Sequence, residues 1–85
     1  MVPGKGLYLK FRGTSWVEVR DVANVVIHTS IALQDSELTI EGKPPLTLTL
    51  GDASAADAWF NGERVSLDRY ARAGVARIIV GQGAR

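Results

Sequence analysis

From Leu7 onward alternation of apolar residues at every second position dominates the chain, and no stretch of ten or more residues carries them at helical spacing. A period of two places alternate side chains on opposite faces of a strand, so the pattern excludes an α/β fold built on crossover helices. Leu7, Leu9 and Phe11 share one face, with Tyr8, Lys10 and Arg12 on the other. After Gly13-Thr14, Val17 and Val19 point inward and Trp16, Glu18 and Arg20 outward. Asp21 to Asn24 reads as a turn, because Asn tolerates the left-handed backbone of a tight reversal. Val25, Ile27, Thr29, Ile31 and Leu33 form the next inward set, with His28 and Ser30 outward. Gln34-Asp35 reverses the chain into Leu38 and Ile40.

Pro44 and Pro45 lack an N–H and must interrupt pairing. Leu46, Leu48 and Leu50 alternate cleanly with Thr47 and Thr49. Ala56, Ala58 and Phe60 alternate with Asp57, Trp59 and Asn61, and Asn61-Gly62 is the strongest hairpin signal in the chain, favouring a type I′ turn into Val65 and Leu67. Only Ser66 to Gly74 departs from this. Ser66 is placed to cap one helical turn through Leu67 and Tyr70, with Gly74 ending it. Val75–Val80 is apolar enough to be covered on both faces.

Seven or eight strands of this length predict an all-β fold, a small antiparallel β-sandwich, with a small closed barrel as the alternative. The expected core is Leu7, Leu9, Phe11, Val17, Val19, Ile27, Ile31, Leu38, Ile40, Leu46, Leu48, Phe60 and Ile78. At 85 residues there is room for one core. The organisation reads as a flexible N-terminal segment over 1–6, the sandwich over 7–80 and a flexible tail over 81–85. The start has no apolar h-region and looks like a domain cut from a longer protein.

Chemistry is mostly excluded. Ten basic residues against nine acidic ones leave a net charge of +1, without the basic stripe of a nucleic-acid binder. Zero cysteines remove a disulfide scaffold, a thiol nucleophile and a Cys-ligated zinc site. A lone mid-strand histidine, His28, reads as a surface or rim residue, and no G-x-S-x-G elbow presents a serine to it. Asp52 and Asp57 offer too few oxygens for calcium and read as turn-forming. No Gly-rich loop precedes a helix. The reading is a non-enzyme with no cofactor and no metal.

Three segments, in order, carry a resemblance. They are Ser15-Trp16-Val17-Glu18-Val19-Arg20-Asp21, then Gly42-Lys43-Pro44-Pro45-Leu46-Thr47-Leu48-Thr49-Leu50-Gly51, then Asn61-Gly62-Glu63-Arg64-Val65-Ser66-Leu67 with Val75-Ala76-Arg77-Ile78. Together they resemble the C-terminal extracytoplasmic domain of the RodZ family of bacterial cell-shape proteins, over about Leu7 to Val80. Two departures stand out: Asn24-Val25 replaces a usual Gly-Lys pair, and Val65-Ser66-Leu67 replaces Val-Asp-Leu.

The family couples a cytoplasmic helix-turn-helix domain, a single membrane helix and a linker to this β domain. The resemblance therefore implies a soluble periplasmic segment of a membrane-anchored protein, non-catalytic, meeting protein partners of the cell-elongation machinery. Binding to the cytoskeletal filament does not carry over, because the residues for it lie outside this sequence. The alternative is a carbohydrate-binding sandwich that grips peptidoglycan glycan strands. Trp59, Trp16 and Tyr8 are the candidate partner-binding residues. Trp16 and Trp59 are both out of phase with the apolar residues of their strands. Trp16 is expected to be the structural one and Trp59 the binding one.

Overall fold

The computed structural model describes residues 2–81 and is all-β. Among the described residues, nine strands form two antiparallel sheets. The strands are β1 (Leu7–Phe11), β2 (Ser15–Arg20), β3 (Val26–Ala32), β4 (Glu37–Ile40), β5 (Leu46–Leu50), β6 (Ala56–Phe60), β7 (Glu63–Val65), β8 (Ala71–Arg72) and β9 (Val75–Val80). One sheet has the order β4-β1-β6-β7 and the other β3-β2-β5-β9-β8. No helix among them is long and apolar enough to cross a membrane.

The inner faces meet over a core of Leu7, Leu9, Phe11, Val17, Val19 and the three leucines of β5, all essentially buried. Alternation alone explains the central strands. Leu46, Leu48 and Leu50 point in, while Thr47 and Thr49 stay half-buried on the far face. Leucine side chains of this kind each contribute about 1.5–3 kcal/mol on burial. The remaining space is filled by Ala53, Ala56, Ala58, Leu67, Ala76 and Val80. The alanines let the two sheets approach where β6 and β9 face the core. Leu38 and Phe60, expected inside, are half-buried and pack against the core from its margin.

Three tight reversals link strands within a sheet. Asp21 Oδ1 accepts the backbone N–H groups of Ala23 and Val25 at 2.9 and 3.0 Å, and Asn24 takes a φ of 65°. Asn61 and Gly62 have φ of 51° and 85°, the positive pair a type I′ turn requires. Ala73 and Gly74 repeat that geometry at 52° and 85° between β8 and β9. Gly74 is thus a hairpin residue and does not end a helix. The expected capped helical turn is a 3-10 turn over Asp68–Tyr70, with Leu67 at its N-cap position making no side-chain cap bond. Leu67 is buried there, whereas Tyr70 is half exposed.

Gln34-Asp35 carries the chain from one sheet to the other. Its geometry is fixed by two backbone bonds to β1, Asp35 N–H to the Phe11 carbonyl and Phe11 N–H to the Ser36 carbonyl, both 2.9 Å. The N-terminal boundary placed before Leu7 falls beside Gly6, which is buried. Its N–H donates to Asn61 Oδ1 at 2.8 Å and its carbonyl accepts the Asn61 N–H at 2.9 Å. The expected C-terminal tail lies, from residue 82 onward, outside the described residues.

The largest departure from expectation is β3. Its residues His28, Ser30 and Ala32 pair with Val19, Val17 and Ser15, whose side chains point into the sandwich. The cross-strand partners of an antiparallel pair share a face, so the inner set of β3 is His28, Ser30 and Ala32. Ile31 is 66% exposed and Ile27 37%, and neither belongs to the core. The cause is twofold. β3 stands at the end of its sheet order, and a bulge between Val19 and Arg20 sets Ile27 as an extra residue opposite them. One inserted residue reverses the phase of everything beyond it. The Ile27 side chain settles against Gly42, where an added Cβ would lie 2.7 Å from its Cδ1.

The last strand also differs. Ala76, Ile78 and Val80 are buried, but Val75 and Ile79 are nearly half exposed, so β9 is covered on one face.

Candidate functional site

The two outer faces of the sandwich carry the candidate residues, and they are built differently. On the four-stranded sheet, Tyr8 of β1 and Trp59 of β6 are register partners with ring centroids 5.4 Å apart, tilted at 43°. The Arg64 guanidinium sits 5.3 Å from the Trp59 ring centroid, a cation–π contact from β7. Arg64 and Arg12 each reach Asp57 at 2.7 Å, so one carboxylate holds two cations, one of them the arginine over the indole. The Tyr8 hydroxyl donates to Glu37 Oε1 at 2.8 Å. That hydrogen bond, then burial, then the Glu37 charge push the Tyr8 phenol above its ordinary pKa of 10.0. Tyr8 is 6% exposed and Trp59 half-buried. On this face Tyr8, Arg12, Arg64 and Asp57 are paired within the chain, while Lys10 is exposed and forms no ion pair among the described residues.

The outer face of the five-stranded sheet is open. Trp16, 42% exposed, stands on β2 across from Ile31 of β3. On its other side lies Gly51, whose N–H donates to the Trp16 carbonyl at 2.8 Å. A Cβ at Gly51 would come within 3.3 Å of the Trp16 Cβ, so glycine keeps that flank of the indole clear. Beyond it run Val75, Arg77 and Ile79 of β9, all exposed. A shallow depression is lined by Trp16, Glu18, Arg20, Thr49, Val75 and Arg77. Glu18 and Arg20 neutralise one another at 2.6 Å, while Arg77 forms no ion pair among the described residues. The face thus offers aromatic and branched apolar side chains with two cations, Arg72 and Arg77, that form no ion pair among the described residues.

The exposures of the two tryptophans run opposite to what their expected roles imply. Trp59 is the covering indole and Trp16 the exposed one. Both were legible as out-of-phase aromatics, but the sequence did not show that Tyr8 and Arg64 would close over one while Gly51 left the other bare. Ile31, Val75 and Ile79 were missed as surface residues because their apolar periodicity reads equally well as core. Trp16 lies on the opposite side of the sandwich from Tyr8 and Trp59, so the three aromatics do not form one stacking platform.

The residues weighed for catalysis have structural partners. His28 Nε2 lies 2.8 Å from Ser30 Oγ. Asp52 Oδ1 accepts from the Ser54 N–H at 3.0 Å and the Ser54 hydroxyl at 2.6 Å, capping the 3-10 turn over Ala53–Ala55. Asp57 is held by its two arginines. Ser15 is buried, donating to the Trp16 carbonyl and accepting the Asp52 N–H.

The chain is a two-sheet antiparallel sandwich whose two outer faces differ in how far their tryptophans are exposed. Residues 8–79 match the family of the RodZ C-terminal domain, and the chain belongs to that family. No solved structure matches the chain. The family relates the domain to bacterial cell shape and to a non-enzymatic role.

Proposed function

We propose that this domain is the periplasmic, non-catalytic interaction module of a single-pass membrane protein of the cell-elongation machinery. In this reading it docks wall-synthesis proteins through the outer face of its five-stranded sheet. The observation that carries the reading is the exposed Trp16–Ile31 pair. Tryptophan is enriched among the residues that dominate interface energy, and an apolar centre rimmed by charge is the usual anatomy of such a contact. The chemistry selects a partner with apolar side chains over Trp16 and Ile31 and a carboxylate for Arg77. Membership of a cell-shape family supports the biological setting.

A photoreactive amino acid placed at position 16 of the membrane-anchored parent protein tests this in rod-shaped cells, with position 59 as the comparison. Crosslinks to wall-synthesis proteins from position 16, and few from 59, are expected. Crosslinks confined to peptidoglycan, or arising equally from both positions, would refute the docking face.

A further inference from the structure

The four edge strands of the sandwich are unequal. β8 is two residues long. β7 is three residues, two of them Glu63 and Arg64. β4 is four residues and begins with Glu37. Short length and charge are the usual protections of a sheet edge. β3 has neither. It runs seven residues, Val26-Ile27-His28-Thr29-Ser30-Ile31-Ala32, without an Asp, Glu, Lys, Arg or Pro. Among the described residues, none of the turn and loop backbone bonds reaches this stretch. Its free side is a row of backbone donors and acceptors flanked by exposed apolar side chains. The bulge lies near its start and leaves His28–Ala32 in regular register with β2.

The sequence of this edge is nearly symmetric about Thr29. Val25 mirrors Leu33, Ile27 mirrors Ile31, His28 mirrors Ser30 and Val26 mirrors Ala32. An antiparallel strand pair related by a two-fold axis places each residue against its mirror image, and a two-fold contact must be self-complementary in this way. With Thr29 on the axis, Ile31 of each copy meets the Val26–Ile27 pair of the other. The bulge presents both of those side chains at 39% and 37% exposure. No charge opposes a like charge anywhere along the ladder.

We infer that β3 pairs antiparallel with β3 of a second copy of this chain, with Thr29 on the two-fold axis, joining two five-stranded sheets into one continuous sheet. Because Trp16 pairs with Ile31 on the adjacent strand, the dimer sets two open faces side by side. One strand pair buries little area, so the association is weak and depends on concentration. The inference rests on the edge alone and holds whatever binds the face of the sheet.

Thr29 is exposed, so a charge there is compatible with the fold. Sedimentation equilibrium of the domain from micromolar to millimolar concentration is expected to show a monomer–dimer equilibrium. Thr29→Lys and Thr29→Glu, each placing like charges together on the axis, should each weaken dimerisation by about tenfold or more. Circular dichroism verifies that both remain folded. An equimolar mixture of the two should restore dimers as a Lys–Glu heterodimer. Should either variant fail to fold, concentration-dependent amide shifts of the unmodified domain should concentrate at residues 27–31. A monomer at every concentration, a dimer indifferent to Thr29→Lys, or amide shifts centred on Tyr8 and Trp59 would overturn the inference.

Discussion

The outer faces of the two sheets each hold one tryptophan on a strand interior to its sheet, and the two tryptophans have opposite fates. Trp59 meets an aromatic register partner and an arginine whose charge is held by Asp57. Trp16 meets Ile31 on one side and a glycine on the other. The strand residue itself is the same in both cases. Its neighbours across the ladder decide whether an indole becomes a lid over the sheet or stays exposed to solvent. On the Trp59 face the cations beside the indole are paired with Asp57, whereas the open face keeps apolar area and leaves Arg72 and Arg77 without ion pairs among the described residues.

The core beneath both faces sets the scale against which they are compared. Leu48→Ala, fully buried in β5, is expected to cost about 2–5 kcal/mol, while Thr47→Ala and Thr49→Ala stay within about 0.5 kcal/mol. Urea denaturation of the three variants checks this, and costlier threonine changes would invert the phase of β5. The faces themselves are separated by the tryptophans. Trp59→Ala removes the stack on Tyr8 and the contact with Arg64, and should cost about 2–3 kcal/mol. Trp16→Ala should cost about 1 kcal/mol or less, since its ring is partly in water already. Equal losses in thermal melts would erase the distinction between a sealed and an open face.

A smaller effect sharpens the account of the sealed face through pH. The Tyr8 phenol is held protonated by its hydrogen bond to Glu37, by burial and by the Glu37 charge, so its pKa lies above 10.0 in the folded state. A raised folded pKa means the native state holds its proton more tightly than the unfolded chain does. The resulting stabilisation is fully present below about pH 10 and is lost as pH rises through the folded pKa. Melting temperature should therefore fall at alkaline pH in the parent domain, and fall less steeply in Tyr8→Phe. Parallel curves for the two would show that the hydroxyl of Tyr8 is not coupled to folding.

The strands differ in how far the sequence reveals them. β1 and β5 lie inside their sheets with one face on the core, so alternation identifies both strand and phase. β3 alternates just as regularly, yet periodicity gives spacing and not the side on which the core lies. Its inner positions are the small or polar His28, Ser30 and Ala32, because the inner side of an edge strand is only partly covered. The bulge at Ile27 then shifts the phase by one residue, and nothing in Val25-Val26-Ile27-His28 announces an insertion. The Asn61-Gly62 turn was readable because its dihedral requirement is local. Ala73-Gly74 forms the same turn less visibly, since alanine is seldom asked to adopt positive φ. Trp16 and Trp59 were recognisable as candidates from strand phase alone. Their division of labour was not, because it depends on which strands lie beside them.

The central claim is that the open face serves a partner and not the fold. Its most direct test is Trp16→Ala combined with Ile31→Ala, introduced into rod-shaped cells in place of the native copy. The account predicts a protein present at native abundance, whose isolated domain melts within a few degrees of the unmodified one, in cells that lose their rod shape. Cells that remain rods with a protein at native abundance would contradict it.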